Sequence, residues 1–301
     1  MTVVIAQIRN EEILVLADTK VQDRQETGPD TMPGRLKIVT LGHRFTVAFA
    51  GAADPAHLAV KEAAKLVALK QFEHAIECLK SWSNKHDIDF ITASHQPRAR
   101  LCRIRRGVAL DIPDICSIGD TSPFHSQVEA ARISTEDGPL RQSNLRSRFI
   151  DRLLTNKNLG DVIGGFPTAV EATSAGHRYL TCSGFYTYKF PTMKSGQEIH
   201  QSVEEVYSGE GHFQLSVMPI IKSDIPVMGV CLLQARTGYV YSPLLRPSGR
   251  SIKLLDRTEW EGYETEMYRT LQKAMDEEVE TLSRMFPKQF VITEKTQADR
   301  I

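Results

Sequence analysis

The second residue of the chain, Thr2, could supply both a nucleophile and a base once Met1 is removed. A threonine hydroxyl is a poor nucleophile at neutral pH and needs a base nearby. The α-amine of an N-terminal threonine is such a base, because its ordinary pKa of about 7.7–8.0 leaves much of it neutral near pH 7. The first candidate chemistry in this sequence is therefore nucleophilic catalysis by a residue that carries its own base.

Such a threonine would need three further groups beside it, and the chain offers a candidate for each. A lysine would lower the pKa of the hydroxyl and of the amine, and Lys37 is the candidate, with Lys20 and Arg35 as competitors for this role. A buried aspartate would orient the lysine and balance its charge, and Asp18 is the candidate. A backbone N–H group would have to face the developing oxyanion, and the amide of Gly51 is the candidate.

Two predicted hairpins would bring these groups together. Residues 3–8 and 13–17 are short apolar runs separated by polar residues, which is typical of two buried strands. Residues 36–41 and 45–50 predict a second hairpin that turns at Gly42-His43. An antiparallel hairpin returns the chain to the level at which it began. We therefore expect the four candidate residues at one end of one sheet.

The rest of the chain predicts antiparallel sheets covered by helices. Asp54, as N-cap, and Pro55 start a predicted helix that is followed by a second one at 72–82. A later helix is predicted at 166–175, and an amphipathic helix at 258–286. Further strands are predicted at 88–93, 100–104, 108–112, 213–221, 227–234 and 239–241. Because strands occur in runs instead of alternating singly with helices, the pattern favours an α+β fold over a doubly wound parallel sheet.

To about residue 67, the sequence resembles the proteasome-type branch of the N-terminal nucleophile hydrolases, which includes proteasome β-subunits and the peptidase subunit of the simpler bacterial two-ring protease. The matching features are Thr2 with the apolar strand after it, LADTK at 16–20, Lys37, and FAGAAD at 49–54 before a helix. The sixteen-residue step from Thr2 to Asp18 is the most specific of them. A weaker match is IGDTSP at 118–123, which is similar to the family's Gly-Ser-Gly turn.

The resemblance implies a four-layer αββα sandwich, with two antiparallel sheets between helical layers. It implies that Thr2 is nucleophile and base, that Lys37 tunes it, that Asp18 pairs with the lysine, and that the Gly51 amide lies in the oxyanion hole. The implied activity is amide-bond hydrolysis through an acyl-enzyme on the threonine.

Two more positions would contact the substrate under the same resemblance. Phe49 would lie near the pocket for the side chain that precedes the scissile bond, and Lys20 is the second expected substrate-binding residue. The chain departs from the family at Asp120, where the family has a serine close to the threonine amine. Ser122 would then replace the lost hydroxyl, so Asp120 and Ser122 are both candidate amine contacts.

The expected domain division is a proteasome-like domain at 1–245 and a C-terminal extension with the amphipathic helix at 246–301. The family's later aspartate and serine have no clear counterparts at 172–183, and the stretch 134–165 looks like an addition to the family's pattern.

Composition limits the alternatives. The 37 basic residues balance the 37 acidic ones, so no overall charge favours nucleic acid or an anionic membrane as a partner. No apolar run approaches the roughly 18 residues of a membrane span, and the start does not read as a secretory signal. Five scattered cysteines and nine histidines form no metal-binding spacing, which predicts reduced thiols, a cytoplasmic location and no metal or organic cofactor.

The function expected from these residues is that of a threonine peptidase that works as a homo-oligomer, a ring or a dimer, on a peptide or amide substrate. An ATPase partner is possible, since the chain has no unfoldase motif of its own. Two alternatives stay open: a catalytically inactive scaffold or binding subunit with the same fold, and an amidase for a small molecule.

Overall fold

The computed structural model describes residues 2–21, 34–96, 98–134, 138–154, 163–189, 210–219, 225–232, 237–253 and 263–286. The strands in these residues are β1 Val3–Arg9, β2 Glu12–Ala17, β3 Ile38–Thr40, β4 Phe45–Gly51, β5 Ile88–His95, β6 Ala99–Arg105, β7 Val108–Asp111, β8 Ile115–Gly119, β9 Thr168–Thr173, β10 Gly176–Tyr179, β11 Cys182–Lys189, β12 Glu210–Pro219, β13 Met228–Leu232, β14 Thr237–Tyr241 and β15 Arg250–Lys253. The helices are α1 Ala53–Ala68, α2 Phe72–Lys85, α3 His125–Ile133, α4 Gly138–Leu154 and α5 Tyr263–Met285. The protein is thus a mixed α+β fold.

The strands form three five-stranded sheets in which every paired neighbour is antiparallel. The first sheet has the order β10-β9-β2-β1-β8, the second β3-β4-β5-β6-β7, and the third β11-β12-β13-β14-β15. Both predicted N-terminal hairpins are confirmed, as β1 with β2 and as β3 with β4. The expectation that they share one sheet is wrong, because the first hairpin belongs to the first sheet and the second hairpin to the second sheet. The second hairpin turns at Gly42, whose φ of 88° suits a glycine.

One core lies between the first two sheets and extends to the third. Successive side chains of a strand point to opposite faces, so Val4 and Ala6 of β1 share one face. They pack in a cluster with Ala48 of β4, Ile91 of β5 and Met228 of β13.

Two further cores join the sheets to helices. On the opposite face of β1, Val3 and Ile5 pack with Phe124 and with Phe149 of α4. The other of these two cores contains β4 side chains together with apolar residues of α1, α2 and the C-terminal helix α5, among them Met275. Side chains on one face of β1 and of β4 therefore pack against helices, and those on the opposite face pack against strands of another sheet.

The helix predicted at 166–175 is wrong, because this segment forms β9 and the turn into β10. Val170 and Ala172 alternate into the core between the sheets, and β9 pairs with β2 from Ile13↔Ala172 to Ala17↔Thr168. A short run of valine, alanine and threonine is compatible with either helix or strand. Here the edge of β2 that does not pair with β1 offers backbone hydrogen bonds to this segment, and pairing with that edge favours the strand.

The C-terminal helix packs on the main body of the protein. It begins at Tyr263, inside the predicted range 258–286, and residues 258–262 lie outside the described part of the chain. Leu271 and Met275 are fully buried, and a Cβ atom added to Gly229 of β13 would lie 2.7 Å from Met275 Sδ. The boundary predicted at residue 245 stays a prediction, but α5 shares its core with α1 and α2.

No helix in the described ranges is long and apolar enough to cross a membrane.

Candidate active site

Asp18 is the centre of the candidate site. It directly follows β2, and its side chain is 0% exposed. Its Oδ1 atom accepts a hydrogen bond from Lys37 Nζ at 2.9 Å and another from the backbone N–H of Val3 at 3.1 Å. One carboxylate oxygen therefore joins the end of β2, the start of β3 and the residue that follows Thr2.

Lys37 is buried with its partner, since only 1% of its surface is exposed. Burial lowers the pKa of Lys37 below its ordinary value, the charge of nearby Lys20 lowers it further, and Asp18 opposes this shift. Burial also raises the pKa of Asp18, while the bonds from Lys37 and from two backbone N–H groups oppose that rise. Arg35, one of the two competitors for the basic role, instead pairs with Asp54 through Nη2 at 2.5 Å.

A segment that the sequence did not indicate, 163–166, closes the other side of the aspartate. Gly164 donates its N–H to Asp18 Oδ2 at 3.2 Å, and Phe166 donates its N–H to Thr19 Oγ1 at 3.0 Å. Gly165 has a φ of 75°, and a Cβ atom there would lie 2.2 Å from Thr19 Oγ1. The signal for this contact was the Gly164-Gly165 pair, which also fits a loop before a helix.

Thr2 lies at the start of β1 and is 5% exposed in the chain that begins with Met1. Its carbonyl oxygen accepts a hydrogen bond from the N–H of Asp120 at 2.8 Å. A Cβ atom on Gly119 would lie 1.8 Å from the Thr2 oxygen and 3.2 Å from Ala50 Cβ. The start of β1, the end of β8 and the end of β4 therefore meet around Thr2.

The two candidate amine contacts bond to each other. Asp120 Oδ1 accepts hydrogen bonds from the Ser122 backbone N–H at 3.1 Å and from Ser122 Oγ at 2.6 Å. The described bond between Asp120 and Thr2 is made by backbone atoms, not by the carboxylate. Both predicted side chains thus lie in the turn after β8, the strand that pairs with β1, and the Asp120 carboxylate is bonded to Ser122.

Gly51 ends β4 with a φ of 110° and is exposed. A Cβ atom at this position would lie 2.1 Å from the backbone oxygen of Asp87, so only glycine fits. The neighbouring Ala50 lies beside Gly119 and hence beside Thr2. The orientation of the Gly51 amide toward an oxyanion stays a prediction.

The two expected substrate-binding residues differ in their surroundings. Lys20 is 8% exposed and close enough for its charge to act on Lys37. Phe49 is 4% exposed, and its side chain belongs to the core that the second sheet shares with α1 and α2. For both residues, contact with a substrate stays a prediction.

The described residues contain no group of three histidine, cysteine, aspartate or glutamate side chains that could hold a metal ion. No family model matches the chain, and no curated protein matches it.

Proposed function

We propose that this protein is an N-terminal threonine amidohydrolase of the proteasome-like type, a peptidase that uses Thr2 after Met1 is removed. The observation that carries this proposal is the Asp18 carboxylate, which binds both Lys37 Nζ and the N–H of Val3. Taking two charges out of water costs several kcal/mol per ion, so a wholly buried ion pair contributes little net stability to a fold. A buried lysine with a lowered pKa is typical of a functional site.

In the proposed reaction, the free amine of Thr2 takes the hydroxyl proton while Oγ1 attacks the carbonyl carbon of the amide. The positive charge of Lys37 stabilises the negative charge that develops on Oγ1, and Asp18 holds the lysine in place. The carbonyl oxygen becomes an oxyanion that accepts a hydrogen bond from the Gly51 amide. The amine then gives its proton to the leaving nitrogen, the C–N bond breaks, and the acyl group remains as an ester on Oγ1.

Water completes the cycle. The same amine accepts a proton from a water molecule as the water oxygen attacks the ester carbonyl. The ester C–O bond breaks, Oγ1 regains its proton, and the carboxylic acid product leaves. Neither step requires a metal or an organic cofactor.

The proposal includes the four-layer αββα arrangement of the family. Three cores support it, because one lies between helices and the second sheet, one between the sheets, and one between the first sheet and α3 and α4. It also includes a cytoplasmic homo-oligomer, a ring or a dimer, with an ATPase partner for folded substrates. Light scattering on the purified protein tests the oligomer directly.

The decisive experiment compares the intact chain with Thr2→Ala and with Thr2→Ser. Mass spectrometry first establishes whether the mature protein begins with Thr2, and retained Met1 would rule out this mechanism. With peptides that carry an amide-linked fluorophore, Thr2→Ala should lower kcat by about 10³-fold or more. Thr2→Ser, which keeps a hydroxyl and an amine, is the matched control and should retain measurable activity. Hydrolysis of small amides without hydrolysis of peptides would indicate the amidase alternative.

A second candidate function, a catalytically inactive proteasome-like scaffold or binding subunit, is motivated by Asp120, whose backbone N–H bonds to the Thr2 carbonyl oxygen. A carboxylate near the amine would raise the pKa of the amine and weaken it as a base. A threonine-directed electrophile separates the two functions. Labelling at residue 2 supports the hydrolase, whereas an unlabelled residue 2 in a protein without Met1 supports the scaffold.

A further inference from the structure

A small cavity lies between α3 and α4, on the outer face of the first sheet. Its volume is about 130 Å³, and its lining residues include Gln127, Ala130, Arg141, Asn144, Leu145 and Arg148. An engineered cavity of about 150 Å³ in another protein holds one benzene molecule. The cavity is thus large enough for one small ligand or one functional group.

The charge of the cavity wall is positive. Two arginines line it, and none of its lining residues in the described part of the chain is acidic. Arg141 is only 3% exposed, yet its described ion pair, from Nη2 to Asp114 Oδ2, is long at 3.4 Å. Its Nε atom is buried and has no hydrogen-bond partner among the described residues. A buried N–H group without an acceptor costs about 1–3 kcal/mol, and more when the group is charged.

The other two arginines of α4 do not line the cavity. Arg146 donates to the carbonyl oxygen of Thr181, and the Arg152 guanidinium lies 5.7 Å from the centre of the Phe124 ring. Arg141 and Arg148 are seven residues apart, which is two helical turns and the same helix face. These two side chains are therefore the ones that can act together on a ligand in the cavity.

We propose that this cavity binds a small oxyanion, a phosphate or carboxylate group held by Arg141 and Arg148. The planar guanidinium matches both groups through paired N–H···O bonds, and the buried Nε atom gains the acceptor that it lacks. Gln127 and Asn144 add polar side chains to the wall, while Ala130 and Leu145 offer an apolar surface to the remainder of a ligand. The site is separate from Thr2 and does not depend on peptidase activity.

Calorimetric titration of the full chain with inorganic phosphate and with acetate, at constant ionic strength, tests the proposal. We expect saturable binding of at least one anion, and the stronger one identifies the preferred group. Arg148→Ala, at an exposed position, should weaken binding about tenfold because it removes hydrogen bonds to a charged group. Arg132→Ala is the matched control, since that exposed arginine of α3 pairs with Glu129 and does not line the cavity.

Three results would overturn the proposal. The first is no saturable binding of either anion, and the second is an equal loss of anion affinity in Arg148→Ala and Arg132→Ala. The third is anion binding that occurs only after nearby carboxylates of the chain are neutralised by substitution. For the last of these, Glu136 and Asp137 follow Ser134 in the sequence. If anions bind only after Glu136→Gln and Asp137→Asn, carboxylates of the chain itself compete with added anions for the cavity. Arg141→Lys keeps the charge but lacks the paired donors, so it should also bind more weakly than the unmodified protein.

Discussion

At the scale of single residues, Asp18 is the group on which the candidate site depends. Its two oxygens accept hydrogen bonds from Lys37, Val3 and Gly164, which come from three separate parts of the chain. The lysine, the start of β1 and the 163–166 segment are therefore held by one buried carboxylate. Sequence alone places Asp18 and Lys37 at the ends of two predicted hairpins, but it assigns both hairpins to one sheet and does not indicate the contact of Gly164 with Asp18.

Asp18→Asn should destabilise the protein by about 3–5 kcal/mol, because it leaves the Lys37 charge buried without its counter-ion. The free energy of unfolding in urea measures this. The control is Glu77→Gln, which breaks an exposed ion pair with Lys80 and should cost less than about 1 kcal/mol. A loss for Asp18→Asn as small as the control's would mean that the Lys37 charge is not held by Asp18.

At the scale of elements, the strand ends opposite Thr2 carry a second buried polar network. His177 Nδ1 lies 2.8 Å from Thr46 Oγ1, and its Nε2 atom lies 2.9 Å from His95 Nδ1. His95 Nε2 in turn lies 2.8 Å from the carbonyl oxygen of Glu11. This chain of hydrogen bonds connects the first sheet to the second at the β1–β2, β4, β5 and β10 ends.

The histidine network predicts acid-sensitive stability. Burial, with the charges of His95 and His43, lowers the pKa of His177 from 6.5 to about 3. The unfolded state therefore binds one more proton between these pH values, and the free energy of unfolding falls as pH is lowered through that window. The slope that this residue adds is at most about 1.4 kcal/mol per pH unit.

Unfolding in urea at several pH values measures that slope. His177→Gln should reduce the slope of the unfolding free energy with pH by the contribution of one proton, at most about 1.4 kcal/mol per pH unit. His125→Gln, at an exposed position on α3, should leave the slope unchanged. An unaltered slope in His177→Gln would show that protonation of this residue is not linked to unfolding.

At the scale of the whole molecule, the N-terminal and C-terminal parts share one core. Leu271 of α5 and Val60 of α1 belong to the same cluster of buried residues. A Cβ atom on Gly229 would also lie 3.0 Å from Leu271, which shows how closely α5 approaches β13. We therefore expect α5 to unfold together with the sheets.

Leu271→Ala should lower the free energy of unfolding by about 2–5 kcal/mol, since it removes buried apolar contacts and leaves a cavity. Calorimetry should show one transition, shifted as a whole to lower temperature. Lys273→Ala, at an exposed position of the same helix, is the control and should leave the transition nearly unchanged. A separate low-temperature transition in Leu271→Ala would instead identify residues after 245 as an independent extension.

The sequence by itself determined the two N-terminal hairpins, but it predicted that both lie in one sheet. Only the tertiary structure placed them in two sheets, between which Lys37 bonds to Asp18 near Thr2. Alternating or continuous apolar residues and short turns encode such hairpins locally, so neighbouring residues are enough to predict them. Only the tertiary structure decided that 168–173 is a strand and that Gly164 binds Asp18. These two residues are 146 positions apart, and a contact between such distant segments arises from sheet pairing and burial, which local periodicity does not encode.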